Sequence, residues 1–183
     1  MPSYTFTDNT GSINSDWLNP VDRLVYGPPT KTIAKTLTPE DGVKIYPQGS
    51  DGGVFIGRTG AAAGTYDDDG GSYYGTKFKP TGGDGSAGWE REDKTIRLRY
   101  FGAFGTGSDE SAEIQACIDY ADSIKTASAA IRIHAETGRT YQFATGLQFP
   151  AWVGMDCHGS LLKYTGTGGV AVTLGDSDDV LNS

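Results

Sequence analysis

Glycine crowds one part of this 183-residue chain, because 14 of its 27 glycines lie between Gly42 and Gly88. Glycine loses more backbone freedom on folding than any other residue and favours turns over helix. Eight prolines interrupt the chain further. This stretch therefore excludes long helices, and its pattern predicts short strands joined by tight turns.

Charge and hydrophobicity exclude several classes of partner. Fifteen basic and 23 acidic residues give a formal net charge of −8. No cluster of Lys or Arg could neutralise a run of phosphates, which excludes nucleic acid and anionic membranes. No window approaches the roughly 18 apolar residues of a membrane span, and the first residues lack the features of a signal peptide. We expect a product that starts soluble inside the cell, without membrane insertion.

The two cysteines of the chain, Cys117 and Cys157, are 40 positions apart in unlike contexts. That separation fits neither a disulfide framework nor the close pairs of a zinc-binding motif. We expect two free thiols buried as small core residues. No motif in the sequence predicts a bound cofactor.

Residues 1–98 contain only short apolar or β-branched runs, each bounded by Gly, Pro, Asn or Asp, as is typical of weak strands. Flexible glycine-rich loops are predicted at about 57–72 and 80–90. The predicted strands are Tyr4–Thr7, Arg23–Tyr26, Lys31–Leu37, Val43–Tyr46, Val54–Ile56, Tyr73–Lys79 and Thr95–Tyr100. The resulting core is thin, so we expect copies of the chain or another protein to cover its edges.

Residues 99–183 open with an amphipathic pattern that predicts one helix over about 109–125. Ser108 or Asp109 can cap its start, and acidic residues in its first turn suit the helix dipole. Five small or apolar residues recur at helical spacing and are predicted to face a core. They are Ile114, Cys117, Ile118, Ala121 and Ile124.

After the helix the pattern changes to a period of two. Ile131, Ile133 and Ala135 are predicted to point to one side of a strand, and their polar neighbours to the other. Glycines separate the runs that follow, and no second helical pattern intervenes. Further strands are predicted at Thr140–Ala144, Trp152–Cys157, Ser160–Tyr164 and Val170–Leu174.

One long run carries a family resemblance: Tyr100-Phe-Gly-Ala-Phe-Gly-Thr-Gly-Ser-Asp-Glu-Ser-Ala-Glu-Ile-Gln-Ala-Cys-Ile-Asp119. It resembles the opening of pectate-lyase-like right-handed β-helices, in which a Phe-Gly-Ala step and a Gly-rich turn lead to a capping helix. Ala130–Tyr141 resembles the first coil strand with its Gly-x-Tyr turn, and Gly159-Ser-Leu-Leu-Lys163 resembles a second rung. The resemblance covers about residues 98–175.

The resemblance implies a mainly β fold, in which a Gly-rich β anchor region is followed by a capping helix and the first coils of a right-handed parallel β-helix. An amphipathic helix at that place would cover the open apolar end of the coil. A stacked solenoid needs about three repeats to be stable. Residues 130–183 supply about two, so we expect the N-terminal piece of a longer protein.

A Gly-rich segment without a signal, followed by the start of a β-helix, resembles a bacteriophage tailspike or tail fibre. The resemblance implies a homotrimer, located in the virion and assembled in the host cytoplasm. Residues 1–98 would attach it to phage tail or adaptor proteins, and the region beyond the chain would bind host surface polysaccharide. Within residues 1–98, Trp17, Leu18, Val21 and Leu24 form a candidate docking cluster, although an ordinary hydrophobic cluster explains them almost as well.

Candidate catalytic residues are few. Glycan cleavage uses two carboxylates at a fixed separation, and Asp156 and Glu136 are the carboxylates inside the predicted coil. His158, beside Asp156, could serve as a general base, but an exposed polar pair at a turn is the favoured interpretation. His134 is expected on the wet side of its strand, with no second ligand-type neighbour.

The acidic run Asp67, Asp68 and Asp69 before two glycines could collect Ca²⁺. Its spacing lacks the alternating ligands of a calcium loop, so a solvated acidic tip is the favoured interpretation and no metal site is predicted.

Three functions remain open from the sequence. The favoured hypothesis is a structural virion component, the attachment segment of a tailspike or tail fibre, without catalytic activity of its own. The alternative is a part of a polysaccharide depolymerase, a glycan hydrolase or lyase with its active site on the β-helix. A secreted carbohydrate-binding module is disfavoured, because the chain has neither an export signal nor a clustered aromatic platform.

Overall fold

The computed structural model describes residues 30–126 and 129–175, and this part of the chain is mainly β. The predicted strands Tyr4–Thr7 and Arg23–Tyr26 lie outside the described residues. The elements are α1 (Lys31–Ala34), β1 (Lys44–Ile45), β2 (Phe55–Arg58), β3 (Lys77–Phe78), β4 (Gly88–Arg91), β5 (Ile96–Arg97), a 3₁₀ helix (Leu98–Phe101), β6 (Thr106–Asp109), α2 (Ser111–Ile124), β7 (Ile131–His134), β8 (Thr140–Phe143), β9 (Leu147–Phe149), β10 (Val153–Asp156), β11 (Leu161–Tyr164) and β12 (Val172–Leu174).

The glycine-rich first half forms a four-stranded antiparallel sheet with the order β1-β2-β4-β3. Aromatic side chains supply most of its small core, and the rings of Phe55 and Phe78 meet edge to face at 5.1 Å. The buried core residues are Ala34, Ile45, Phe55, Tyr74, Phe78 and Trp89.

Two sequence predictions need correction in this half, one throughout its helical start and the other only at its end. The alternation in Lys31–Leu37 predicts a strand, but the start of this run is the helix α1, because the Thr30 side chain accepts a hydrogen bond from the N–H of Ile33 and caps the turn. The predicted loop 80–90 has no helix or strand before residue 88, but its last residues form the start of β4, a strand with partners on both sides. Glycine at position 88 reflects close packing there, since a Cβ would collide with Tyr66.

The second half forms three short parallel sheets, with the orders β10-β7-β5, β11-β8-β6 and β12-β9. The chain passes through the three sheets in turn and then returns to the first. On its return, Val153 lies beside Ile131 in the first sheet and Leu161 beside Thr140 in the second. Val172 then lies beside Leu147 in the third. Each passage through the sheets therefore stacks a new coil on the one before it.

The period-two prediction after the helix is confirmed in outline. Ile133 is fully buried and Ala135 nearly so, whereas Arg132 is exposed. The observed strands β7, β8, β10, β11 and β12 lie within the predicted runs. The sequence pattern does not indicate β6 and β9, because β6 is exposed throughout and β9 is very short. The predicted strand Thr95–Tyr100 ends early, as the chain turns into the 3₁₀ helix at Leu98.

Helix α2 confirms the predicted helix with slightly shorter bounds, and packs against the 3₁₀ helix and strands β5, β7, β9 and β10. Its start is held by Glu110, a buried carboxylate that accepts hydrogen bonds from the N–H groups of Phe104 and Gly105, both at 2.9 Å. Among the helices that the structure describes, α2 is the longest, and none has the length and apolar character needed to cross a membrane.

Four of the five predicted core residues of α2 are buried, and the fifth is not. Ile124 is 42 % exposed, so the prediction that it faces the core is wrong. Ten positions at 3.6 residues per turn place it about 80° from Ile114, at the edge of the apolar stripe. The residues confirmed in the core are Ile114, Cys117, Ile118 and Ala121.

Both cysteines are free thiols, as predicted. Cys117 is fully buried, and burial raises the pKa of its thiol. Cys157 is only partly buried, so the prediction of a core position is wrong for this residue. Burial, followed by the charge of Asp156, raises the pKa of the Cys157 thiol.

The buried side chain of Arg91 contacts the ring of Tyr100 in the 3₁₀ helix and holds three loop carbonyls of the first half. Its guanidinium donates to the carbonyl oxygens of Gly75, Gly52 and Asp51 at 2.8 to 2.9 Å. Burial lowers its pKa to about 10. The predicted boundary at residue 98 directly follows β5, which pairs with β7 in the parallel part. The halves therefore meet through shared contacts rather than through a free linker.

Candidate functional site

The outer face of the sheet β10-β7-β5 presents a row of polar side chains in register. Arg97 is paired with His134, and His134 with Asp156. Their neighbours in the strands, Ile96 and Ile133, are buried. Because side chains alternate along a strand, the polar row lies on the side away from the core. We define the histidine cluster as His134, Asp156 and His158.

His158 enters this cluster from a tight turn after β10. The turn is closed by the N–H of Ser160, which donates to the carbonyl of Cys157 at 2.7 Å. His158 has φ +45° and Gly159 has φ +78°. A positive φ is uncommon for residues other than glycine, although His, Asn and Asp adopt it more often than most. The turn brings the imidazole of His158 back over the sheet to His134.

The two imidazoles are in direct contact. His134 Nδ1 lies 2.9 Å from His158 Nε2, and the ring planes are inclined by 17°. Asp156 Oδ1 lies 3.5 Å from His158 Nδ1 and accepts the backbone N–H of His158 at 3.3 Å. The expectation that His134 has no ligand-type neighbour is therefore wrong. Within residues 30–126 and 129–175, this is the one group of three side chains suited to hold a metal ion.

Sequence reasoning singles out Asp156 and His158 but misses His134 as their neighbour. The repeat of the coil could have indicated this neighbour, because the strand register that pairs Ile131 with Val153 also pairs His134 with Asp156. That register is not defined by the sequence pattern alone. His134 becomes part of the cluster only when β10 lies beside β7.

The second candidate carboxylate, Glu136, is turned toward arginines. Its Oε1 lies 3.8 Å from Arg97 Nη1 and 4.0 Å from Arg99 Nη1. Glu136 follows β7 and Asp156 ends β10, and because β10 lies beside β7, the two carboxylates belong to successive coils. The structure therefore brings Asp156 together with histidines and Glu136 together with guanidinium groups.

The carboxylates of the acidic run Asp67, Asp68 and Asp69 each have their own partners in neighbouring segments. Asp67 pairs with Lys79 at 2.8 Å, and Asp68 with Lys35 at 2.9 Å. Burial opposes ionisation of Asp68, but the bond from Lys35 and further donors outweigh it and lower its pKa.

Asp69 is partly buried and accepts the N–H groups of Thr76 and Lys77. Burial raises the pKa of its carboxyl. The expectation of a solvated acidic tip is therefore wrong for this residue. The three carboxylates of the run therefore attach the loop at three places: beyond the end of β3, beyond the end of α1 and at the start of β3.

The docking candidates Trp17, Leu18, Val21 and Leu24 lie outside the described residues. The candidates on α2 belong to the core of the parallel part, where Ile114, Cys117, Ile118 and Ala121 share one cluster with Ile133 and Tyr141.

Comparison with solved structures shows similarity to phage tailspikes. The fold is similar to full-length tailspike protein 2 from Escherichia coli O157:H7 bacteriophage CAB120, with a TM-score of 0.50 and 20 % identity over 74 % of this chain and 16 % of that one. The tailspike protein of Acinetobacter baumannii phage AM24 matches with a TM-score of 0.46 and 21 % identity over 67 % of this chain and 19 % of that one. This chain thus spans less than a fifth of either protein. No protein-family model and no curated protein sequence matches it.

Proposed function

We propose that this chain is the virion-attachment segment of a phage tailspike or tail fibre, and that it leads into a host-glycan-recognising β-helix. The observation that carries the proposal is the fold similarity to tailspike protein 2 over 74 % of the chain. In this proposal residues 1–98 dock on a phage tail or adaptor protein. The protein is a virion component assembled in the host cytoplasm.

The proposed right-handed β-helix is supported by the topology of the parallel sheets. Three sheets are visited in turn, and each return pairs a new strand in parallel with an earlier strand of the same sheet. Helix α2 packs against β5, β7 and β9 and contributes four buried side chains to the core between them. A helix in this position covers apolar surface that an open coil end would expose, which is the capping role that we assign to it.

The proposed homotrimer is supported by the small core of the antiparallel part and by the exposed side chain of Trp152. Among the described residues that core has six buried members, and Trp152 is 61 % exposed. Native mass spectrometry of the 183-residue chain should show three copies of the 19.4 kDa chain. A stable monomer at micromolar concentration would overturn the trimer.

Attachment is tested by co-sedimentation of the chain with phage particles that lack their spikes. We expect saturable binding, which Trp17→Ala together with Leu18→Ala removes. Ile124→Ala is the matched control, because Ile124 is an exposed apolar residue of α2 outside the docking cluster. If the unaltered chain does not sediment with particles, the attachment proposal fails. If the Trp17 and Leu18 variant binds like the unaltered chain, the docking cluster is misassigned.

We also propose that this segment does not itself cleave glycan. Two-carboxylate hydrolysis needs an acid and a partner carboxylate directed at one bond, whereas Glu136 contacts arginines and Asp156 contacts His158. Incubation with host capsular polysaccharide should release no reducing ends. Release that disappears in Asp156→Asn or Glu136→Gln would establish the alternative, a depolymerase active site on these coils.

A further inference from the structure

We propose that the histidine cluster, His134, Asp156 and His158, is a binding site for a transition-metal ion of the Zn²⁺ class and clips two successive coils together. The chain has only two histidines among 183 residues. They are 24 positions apart, and their imidazoles meet at 2.9 Å. The proposal is independent of tail attachment, since metal binding needs no phage particle.

The donor set defines the class of ion. Two imidazole nitrogens and one carboxylate oxygen suit Zn²⁺, Ni²⁺ or Cu²⁺, whereas Ca²⁺ and Mg²⁺ prefer all-oxygen sites. Three protein ligands leave a further position for water, as in open zinc sites. Cys157 lies between Asp156 and His158 in sequence, but it is not a member of the cluster.

The distances are compatible with shared coordination after small side-chain rotations. One ligand atom from each residue lies within 4.8 Å of the other two. Zn–ligand bonds of about 2.0–2.1 Å in a tetrahedron place ligand atoms about 3.4 Å apart. The distance between the two imidazole nitrogens must therefore increase slightly from 2.9 Å, and the carboxylate oxygen of Asp156 must move closer to both nitrogens. The side chains of His158 and Asp156 are 44 % and 38 % exposed, which leaves room for both movements.

The backbone fixes the positions of the three ligands relative to one another. His134 and Asp156 are register partners in neighbouring strands. His158 is directed back to them by the left-handed turn that Gly159 shares. Because His134 belongs to β7 whereas Asp156 and His158 belong to β10 and its following turn, an ion bound here crosslinks two coils.

Titration of the 183-residue chain with Co²⁺, followed by its visible absorption and by competition with Zn²⁺, tests the site. We expect one equivalent to bind. His134→Gln and His158→Asn should each weaken binding by more than the roughly 10–100-fold that loss of an outer-shell partner costs. Asn is chosen at position 158 because it tolerates a positive φ. Asp156→Asn should weaken binding by about 10-fold or more.

Cys157→Ser is the matched control, since it removes the neighbouring thiol and leaves all three proposed ligands. It should bind Co²⁺ like the unaltered chain. A second readout is thermal: Zn²⁺ should raise the melting temperature of the unaltered chain and of Cys157→Ser, but not that of His158→Asn, because only a folded-state ligand stabilises by mass action. Circular dichroism confirms that each variant is folded.

Two results would overturn the proposal. One is unchanged Co²⁺ affinity in folded His134→Gln or His158→Asn. The other is loss of binding in Cys157→Ser, which would assign the ion to the thiol.

Discussion

The guanidinium carbon of Arg91 lies 3.6 Å from the centre of the Tyr100 ring, and this contact joins the antiparallel sheet to the 3₁₀ helix that leads into the parallel part. The ring of Phe55 lies on the same guanidinium at 4.4 Å. A planar cation between two aromatic rings gains from their π faces. Arg91 thus connects the aromatic core of the first half to the start of the second.

Arg91→Met should destabilise the chain by on the order of 3 kcal/mol, because it leaves three carbonyl acceptors without their donor and each buried unpaired group costs about 1–3 kcal/mol. Urea denaturation followed by tryptophan fluorescence measures this. Arg91→Lys is the control, and should recover only part of the loss, since an ammonium lacks the planar fork. A Met variant within about 0.5 kcal/mol of the unaltered chain, as for a neutral surface change, would contradict this role.

Ile118→Ala and Ile124→Ala form a matched pair on helix α2. Ile118 is fully buried, and its truncation should cost about 2–4 kcal/mol through lost burial and a cavity. Ile124 is 42 % exposed, and its truncation should change stability by about 0.5 kcal/mol or less. Thermal and urea unfolding of both variants measures the difference. Equal losses would mean that α2 does not pack as described.

Gly102→Ala should destabilise the connection between the halves. Gly102 has φ +97°, and a Cβ there would collide with the ring of Tyr73. We expect a loss of about 2–5 kcal/mol, from the left-handed backbone and from overpacking. Gly82→Ala is the control, because Gly82 also has a positive φ but faces open space. Its cost should be about 1–2 kcal/mol.

The contribution of the Tyr73 ring can be separated from that of the backbone. Tyr73→Ala combined with Gly102→Ala should cost less than the sum of the two single changes, since the small side chain removes the collision. Additive losses in unfolding experiments would assign the whole effect to the backbone.

Asp93→Asn should reduce the amount by which the free energy of unfolding falls in acid. Burial opposes ionisation of Asp93, but hydrogen bonds from Thr95 and Tyr100 and the charge of Arg97 outweigh it and lower its pKa from 3.8 to about 2. A carboxyl whose pKa is lower in the folded state stabilises the fold above pH 3.8, and that contribution is lost as the pH falls through about 2.

Urea unfolding at several pH values between 5 and 2 measures the effect of Asp93→Asn. The unaltered chain should lose more stability over this interval than the variant. Asp119→Asn, which removes a charge from the exposed face of α2, should follow the unaltered chain. Parallel acid curves for Asp93→Asn and the unaltered chain would contradict the assignment.

Local patterns account for the parts of the fold that could be predicted. Helix α2 follows from the spacing of Ile114, Cys117 and Ile118, because residues three and four apart share one face of any helix. The strand β7 follows from the alternation around Ile133. These signals need no knowledge of which segment lies alongside.

Predictions from the sequence fail where a contact with another residue, rather than the local pattern, determines the backbone conformation. The glycines around β4 favour a flexible loop, yet Gly88 lies where Tyr66 leaves no room for a side chain. Lys31–Ala34 has a weak alternating pattern, but a local cap at Thr30 makes it helical. A high density of glycine is found both in mobile loops and where segments pack closely. Only the contacts in the folded structure distinguish the two cases.

By itself, the sequence determined the period of each element, the turns and the buried stripe of α2, since these depend on spacing along the backbone. Only the tertiary structure decided that His134 meets His158 and that Arg91 lies against Tyr100. Both contacts depend on which strands become neighbours, and strand register is set by burial of the whole core rather than by the residues that meet. The candidate site therefore depends on tertiary packing, although each of its residues could be identified individually in the sequence.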